Sequence, residues 1–463
     1  MTDPYDRNQL ARDIEALDGL AVFVAYNANV DAIVRVDTTL ESFLERPEDP
    51  GSDAPPSQVG SKRELATAIT HTMVAGRGDQ VILTDEFAQT LEATLTPEAQ
   101  QMGGQAGIMT NLLTSLGAAP LTYTYLMSDR QLSQFTHPER VRYPRAEEGV
   151  VSVIPMNEAI NTDRTKINWV FEFRAGDELF GVRAQEDTRL IAASRPPEFD
   201  LVTGELDTTI DQVGSRVEGA LLAGYHNLTP DHVESYDATQ RHARDVLRRL
   251  RSGGELKVHV EYAVTHDVDL RESMFEWILP EADVIGLDTH ELGLLYRDAE
   301  LDVVEEVPSE ATPFDVEEIL AHYRMLSALR ELLDVQCMRI HAMEYHLAVT
   351  ESYLSPDAIR RGLEFSAVNA ATKAARGDIT APGDLETGLE FEPSEHGLAA
   401  IECLADHLGR STDEGRLCAP TVVACPNRVV ADPVRTVGIG DTVSAASFVL
   451  EIAVDKESEP KGP

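Results

Sequence analysis

The sequence predicts an α/β fold with a largely parallel sheet covered on both faces. Three observations lead there. From about residue 206 onward, short apolar runs alternate with helical segments, the order of strands joined by crossover helices. The chain has 463 residues, 43% of them hydrophobic, enough for one large domain plus a smaller one. Near the C-terminus, Thr436-Val437-Gly438-Ile439-Gly440-Asp441-Thr442 is a glycine turn running into a small-residue helix. In such a fold, functional groups gather at the C-terminal ends of the strands.

Ala21–Tyr26 is a short apolar run suited to a buried strand, and Asn27-Ala28-Asn29-Val30-Asp31 is its polar exit. Arg46–Ser61, rich in Pro, Asp and Ser, reads as an exposed loop. A glycine pair opens Gly103–Gly117, which continues as a helix. Leu121–Met127, Ile167–Phe173 and Ala220–Gly224 are strand-like. Asp231–Ser252 is a basic amphipathic helix stopped by Gly253-Gly254. Then follow strand Lys257–Ala263, helix Asp269–Leu279, strand Ala282–Leu287 and helix His290–Arg297. Pro313–Leu333 is a longer helix and Met338–Thr350 is strand-like. Leu363–Gly377 is a helix of small residues, and Thr421–Val430 leads to the glycine turn.

With 80 acidic and 39 basic residues the formal charge is −41. That argues against nucleic acid or an anionic membrane as the main partner. It also suggests a high-salt cytoplasm, where self-repulsion is screened. Cys337, Cys403, Cys418 and Cys425 show no C-x-x-C spacing, so reduced, mostly buried thiols are expected rather than zinc or redox chemistry. Met1-Thr2-Asp3-Pro4 is not signal-peptide-like, and no apolar run approaches the roughly 20 residues of a membrane span, so a cytoplasmic protein is expected. Oligomeric state is left open.

A helix start behind a glycine turn presents unpaired N–H groups and the positive end of the helix dipole, which favours phosphate. Asp441 at that point is either a base for an attacking hydroxyl or only a helix cap. His259 and Glu261 share one strand face, either to reach magnesium or as a satisfied pair. Asp288 and Glu291, one strand–helix unit later, are either further metal carboxylates or a capping box. Asn29 and Asp31 can hold sugar hydroxyls or simply form a turn. Gly103-Gly104-Gln105 allows close approach of a ligand or merely a tight loop. Lys166 and Arg195 stand in segments poor in basic charge, as a phosphate clamp or as surface ion pairs.

Together and in this order, the motifs resemble the archaeal ADP-dependent sugar kinases, and most closely their phosphofructokinase branch. The markers, between about Ala21 and about Ala453, are Ala25-Tyr26-Asn27-Ala28-Asn29-Val30-Asp31, Met102-Gly103-Gly104-Gln105-Ala106-Gly107-Ile108-Met109, Lys166-Ile167-Asn168-Trp169, His259-Val260-Glu261 and the 436–442 turn. The resemblance implies a ribokinase-like fold, a doubly wound, mostly parallel α/β domain with a smaller discontinuous α/β lid. The implied large domain takes residues 1–31, 103–150 and 206–463, the last with the nucleotide site, and the lid takes 32–102 and 151–205. The implied reaction moves the β-phosphoryl of ADP to the 1-hydroxyl of fructose 6-phosphate, with Mg2+, leaving AMP. Asp441 matches the base and Gly438, Ile439 and Gly440 the anion hole. Glu261 and Glu291 match metal-organising positions, with Asp441 beside them and Asp288 where the family usually has asparagine. Asn29, Asp31, Gly104 and Gln105 match sugar contacts. Lys166 and Arg195 resemble the grip on the 6-phosphate. Ala75-Gly76-Arg77-Gly78-Asp79-Gln80, where the family separates glucose from phosphorylated sugar, departs from the usual pattern. The alternatives are a glucokinase or bifunctional enzyme, an ATP-dependent sugar kinase, and a non-catalytic nucleotide-binding regulator.

Overall fold

Ala21–Tyr26 is buried along all but its first residue, as a strand covered on both faces must be. It pairs in parallel with Gly219–Ala223 on one side and Ala119–Tyr123 on the other. The computed structural model describes residues 5–56, 58–196, 201, 204–230, 233–301 and 316–458. Within them these three strands lie side by side inside an 11-stranded sheet. Beyond Gly219–Ala223 the sheet continues through Lys257–Glu261, Val284–Leu287, Cys337–His341, Tyr345–Thr350, Val422–Pro426 and Leu417–Ala419. Beyond Ala119–Tyr123 come Arg142–Glu147 and Val150–Pro155.

The centre is parallel from Cys337–His341 across to Arg142–Glu147. Both flanks are antiparallel. The expected mostly parallel sheet is therefore a parallel core with hairpin edges. The run expected as one strand over Met338–Thr350 is such a hairpin, Cys337–His341 folding back on Tyr345–Thr350. Ala119–Tyr123 ends before the expected Met127, and Leu126 and Met127 are buried without belonging to a strand. The helix expected from Leu363 begins earlier, at Pro356, behind the Ser355 cap. The expected helix starts at Asp231 and Pro313 lie outside the described residues, and the helices there run over Tyr236–Ser252 and Glu318–Leu333.

A second sheet has six strands, in the order Gln58–Val59, Asp79–Leu83, Thr188–Ala193, Ile167–Phe173, Asn29–Arg35 and Ala99–Gly103. It has a hydrophobic core of its own around Trp169, Phe171, Leu65 and Ile69. Two expected boundaries move. Residues 29–31 belong to this small sheet, only Asn27 and Ala28 separating its strand from Ala21–Tyr26. The boundary expected at 150/151 falls inside a hairpin of the large sheet, whose turn residues Glu148 and Gly149 both have positive φ (51° and 77°).

The C-terminal helix Ile439–Ser458 lies across the large sheet. A Cβ on Gly219, at a strand start, would meet Ile452 at 2.6 Å, while Ser444 in the first turns lies beside Glu261 at a strand end. The helix therefore runs opposite to the parallel strands and delivers its N-terminus to their C-terminal ends. Arg339 of the Cys337–His341 strand donates to both Glu451 carboxylate oxygens at 2.8 Å and to Ser447 Oγ at 2.9 Å, all buried. No helix among the described residues is long and apolar enough to cross a membrane.

Candidate active site

The chain leaves Ala21–Tyr26 toward the small sheet and leaves Gly219–Ala223 toward the opposite flank. Neighbouring strand ends whose connections diverge make a crevice, the usual ligand site of a doubly wound sheet.

Asp441 sits in the first turn of Ile439–Ser458, partly buried. Burial, then the nearby Glu261 carboxylate, push its acid up to about 7, with Lys373 opposing and Asp31 adding to the rise. Asp441 thus lies within electrostatic reach of both the small sheet and the large-sheet carboxylates. Gly438 adopts φ +76°, and a Cβ there would meet Ile108 at 2.8 Å. A Cβ on Gly440 would sit 2.6 Å from His341 Nε2. Both glycines are needed for the turn to approach its surroundings this closely. The N–H groups of Ile439 to Asp441 open the helix, where intrahelical partners are lacking, although Ile439 N–H keeps a long bond of 3.4 Å to Thr436 O.

Glu261 ends the Lys257–Glu261 strand, fully enclosed. His259 Nε2 lies 2.9 Å from its Oε2. Burial raises the Glu261 acid to about 7 and holds His259 neutral, so this contact is a hydrogen bond rather than an ion pair. The neighbouring Gly286 makes room: a Cβ there would stand 2.4 Å from Glu261 Oε2. Asp288 and Glu291 form a complete capping box, Glu291 N–H donating to Asp288 Oδ1 at 2.7 Å and Asp288 N–H to Glu291 Oε2 at 2.8 Å. Burial and the charges of Asp288, Glu261 and Asp441 also hold the Glu291 acid well above the ordinary range. Cap and acidic cluster are thus the same residues. Among the described residues no three Asp, Glu, His or Cys groups converge as a ready-made metal cage. Magnesium typically binds through one or two carboxylates, several waters and substrate phosphate. Glu261 and Glu291, with protons held by burial and mutual repulsion, suit that donor set.

Asp31 is buried in the Asn29–Arg35 strand, where burial raises its acid to about 6 despite hydrogen bonds from Asn29 and Asn168. Asn29 Nδ2 donates to Asp31 Oδ1 at 2.8 Å. A Cβ on Gly103 would lie 2.1 Å from that oxygen. One on Gly104, at φ +73°, would lie 2.7 Å from Asn29 Oδ1. Asn29 Oδ1, Gln105 Oε1 and Asn168 Oδ1 are buried acceptors lacking a hydrogen-bond partner. Orphaned acceptors around a carboxylate match the donors of a polyhydroxyl ligand.

Strand register brings Lys166 and Arg195 together. Ile167–Phe173 and Thr188–Ala193 are antiparallel with Asn168 opposite Ala193, so Lys166 and Arg195 face each other two positions on. Both are buried. Burial and the Arg195 charge push Lys166 well below its ordinary value, and burial lowers Arg195 to about 10. Lys166 Nζ donates to Asn27 Oδ1 at 2.6 Å and Asn227 Oδ1 at 3.1 Å. The surface-ion-pair alternative is excluded by this burial. Pro197, two residues after Arg195, lies outside the described residues.

Sequence reasoning missed several residues. Asn227 and His226 follow Gly219–Ala223 in a short turn with no motif. Arg435 acts on Asp31 and Lys373 on Asp441. Both line a cavity of about 240 Å³ beside the glycine turn, together with Gln101, Ile108 and Thr442. Lys373 was visible as a cation, with Arg376, among the small residues of its helix. Asp79, in the segment expected to separate sugars, contacts His266 of the loop after Glu261 at 3.3 Å, joining the rims of the two sheets.

Among known proteins, the ADP-specific phosphofructokinase of Thermococcus zilligii is 30% identical over 96% of this chain and 98% of its own. The ADP-dependent glucose/glucosamine kinase of Pyrococcus abyssi is 28% identical over 98% of both chains. An ADP-dependent kinase solved with fructose-6-phosphate and ADPβS superposes with a TM-score of 0.82 at 29% identity, covering 97% of this chain and 98% of the other. A phosphofructokinase from Pyrococcus horikoshii OT3 with AMP gives 0.78 at 25% identity, over 95% and 99%. The model of the ADP-specific phosphofructokinase/glucokinase conserved region matches residues 20–450. With almost its whole length matched and its glycine turn, strand-end carboxylates and crevice in place, the chain belongs to the ADP-specific phosphofructokinase/glucokinase family.

Proposed function

We propose that the protein is an ADP-dependent 6-phosphofructokinase, converting fructose 6-phosphate and ADP to fructose 1,6-bisphosphate and AMP in the cytoplasm. The relatives named as ADP-specific phosphofructokinases, and the neighbour solved with fructose-6-phosphate, support the reaction. One observation of this chain carries the choice of sugar: Lys166 and Arg195 are two buried cations facing each other in the crevice wall. Buried like charges demand a counter-charge. Fructose 6-phosphate brings one and glucose does not.

In this reading the sugar ring lies against Asp31, Asn29, Gly104 and Gln105, and the 1-hydroxyl faces Asp441. Asp441 takes the hydroxyl proton as the oxygen attacks the β-phosphorus of ADP, and AMP departs with the former bridging oxygen. The N–H groups at Gly438, Ile439 and Gly440 stabilise charge on the transferred phosphoryl group. Glu261 and Glu291, with Asp288 beside them, would hold Mg2+, which supplies neutralisation of phosphate charge when bound. The six-stranded sheet acts as a lid whose closure excludes water that would otherwise hydrolyse ADP.

Testing ADP and ATP against fructose 6-phosphate and glucose, with AMP as the product measured, checks the proposal. AMP formed from ADP with fructose 6-phosphate is the expected result. Glucose turnover above fructose 6-phosphate turnover would make the protein a glucokinase, and turnover only with ATP would overturn donor and family activity together.

A further inference from the structure

The two cations of the sugar pocket have a neutral companion. Gly219–Ala223 ends in Gly224, at φ +103°, and the chain turns through Tyr225–Asn227. A Cβ on Gly224 would stand 2.7 Å from the Asn27 side chain, so glycine is what lets this turn close on the neighbouring strand exit. The turn sets His226 and Asn227 beside Lys166.

Hydrogen-bond logic then fixes the imidazole. A lysine ammonium only donates. Lys166 Nζ therefore faces the oxygen of Asn227, at 3.1 Å, and the Asn227 nitrogen points the other way. That nitrogen donates to Gly224 O at 3.2 Å and lies 3.3 Å from His226 Nε2. An amide nitrogen also only donates, so Nε2 accepts. A neutral imidazole accepting at Nε2 carries its proton on Nδ1. Burial and the charges of Arg195 and Lys166 hold the ring neutral, with its acid lowered to about 3. Nδ1 is buried and has no hydrogen-bond partner. The pocket thus presents an unsatisfied N–H donor beside two buried cations.

We propose that His226 is a third phosphate-gripping residue: its Nδ1–H donates to an oxygen of the substrate's 6-phosphate, next to Lys166 and Arg195. The inference rests on the phosphofructokinase reading above. A phosphate has three acceptor oxygens. Arginine can take two in a fork, lysine acts as a point charge, and a neutral donor adds a directional bond without a third buried positive charge. Asn227 is the positioning residue, because its amide passes the orientation of Lys166 on to the imidazole tautomer.

Steady-state kinetics of His226→Ala and His226→Asn test this. The alanine variant is expected to raise KM for fructose 6-phosphate about 10- to 100-fold, the range for a hydrogen bond to a charged group, with kcat and the KM for ADP nearly unchanged. The asparagine variant, whose amide N–H stands close to the place of Nδ1–H, is expected to recover most of that loss. A loss confined to kcat, an equal loss for ADP, or no loss at all overturns the inference. The parent reading is judged separately. A wild type that ignores fructose 6-phosphate removes both, whereas a wild type that uses it, is crippled by Lys166→Ala and is indifferent to His226→Ala removes the inference alone. Should the alanine variant not fold, NMR of the wild type with 15N-labelled histidine decides. Saturating fructose 6-phosphate, and not glucose, is expected to move the Nδ1–H proton signal, assigned by its loss in His226→Asn. An unmoved signal overturns the inference.

Discussion

The crevice has an acidic corner and a basic corner, and the two are built by different means. Glu261, Glu291 and Asp441 gather at the acidic one, where burial and mutual repulsion raise their acids. Lys166 and Arg195 gather at the other, where burial pushes both the opposite way. The acidic corner comes from three elements packed on one sheet, each carboxylate close in sequence to a strand end or helix start. The basic corner needs strand pairing in the small sheet, plus Asn27 and Asn227 from two strand exits of the large one. Each corner is electrostatically costly until a ligand of opposite charge arrives. A divalent cation and a sugar phosphate are ligands of that kind.

Asp441→Asn is the sharpest way to break the acidic corner. Turnover should fall about a hundredfold to ten-thousandfold, the usual range for a lost general base, while nucleotide and sugar still bind. Near-normal turnover would reduce Asp441 to a helix cap. At the basic corner, Arg195→Ala and Lys166→Ala should each weaken fructose 6-phosphate use by roughly one to two powers of ten, with any glucose use spared. Arginine should be the larger loss, because its fork can hold two phosphate oxygens. Equal losses on both sugars in steady-state assays would mean a structural role. Glu261→Gln should raise the magnesium concentration needed for half activity about tenfold, leaving sugar KM alone. An unchanged magnesium titration with a raised sugar KM would move Glu261 to the substrate.

The smallest effect concerns stability. The acids of Asp31 and Asp441 lie at about 6 and about 7 in the fold, against an ordinary 3.8. Across that window the folded ligand-free protein binds more protons than the unfolded chain, so it loses stability as pH rises from about 4 to about 7. Asp441→Asn removes one contribution. Its melting temperature should therefore gain a few degrees on wild type between about pH 5 and about pH 8. A gap independent of pH would mean that Asp441 ionises normally in the free protein.

The acidic corner was legible because its residues are local: a strand end, a cap and a glycine turn each leave a pattern in the sequence. At Asp288 and Glu291 the two rival readings proved compatible, since the capping box itself positions the carboxylates. Lys166 and Arg195 were singled out, but their meeting depends on register, which sequence spacing does not reveal. Gly286 and Asn227 left no signal, because each matters only through a neighbour on another strand. The parallel centre was readable from alternating elements. The hairpin over Arg142–Pro155 was not, because nothing in the composition there distinguishes an edge strand from the start of a new domain.

The buried Arg339–Glu451 pair has a consequence for aim. A helix faced with small residues such as Ala445 and Ala446 meets its neighbours smoothly, and smooth surfaces resist rolling weakly. Each residue of roll would swing Asp441 by roughly 100° about the axis. Two parallel 2.8 Å bonds from a strand that cannot turn define the helix azimuth as a keyway defines a shaft. Net stability gained from such pairs is often slight, so their loss should be read in direction rather than in strength. Replacing the pair by Arg339→Met and Glu451→Leu should leave the melting temperature near wild type while kcat drops, and an unchanged kcat would show that packing alone sets the bearing of Asp441.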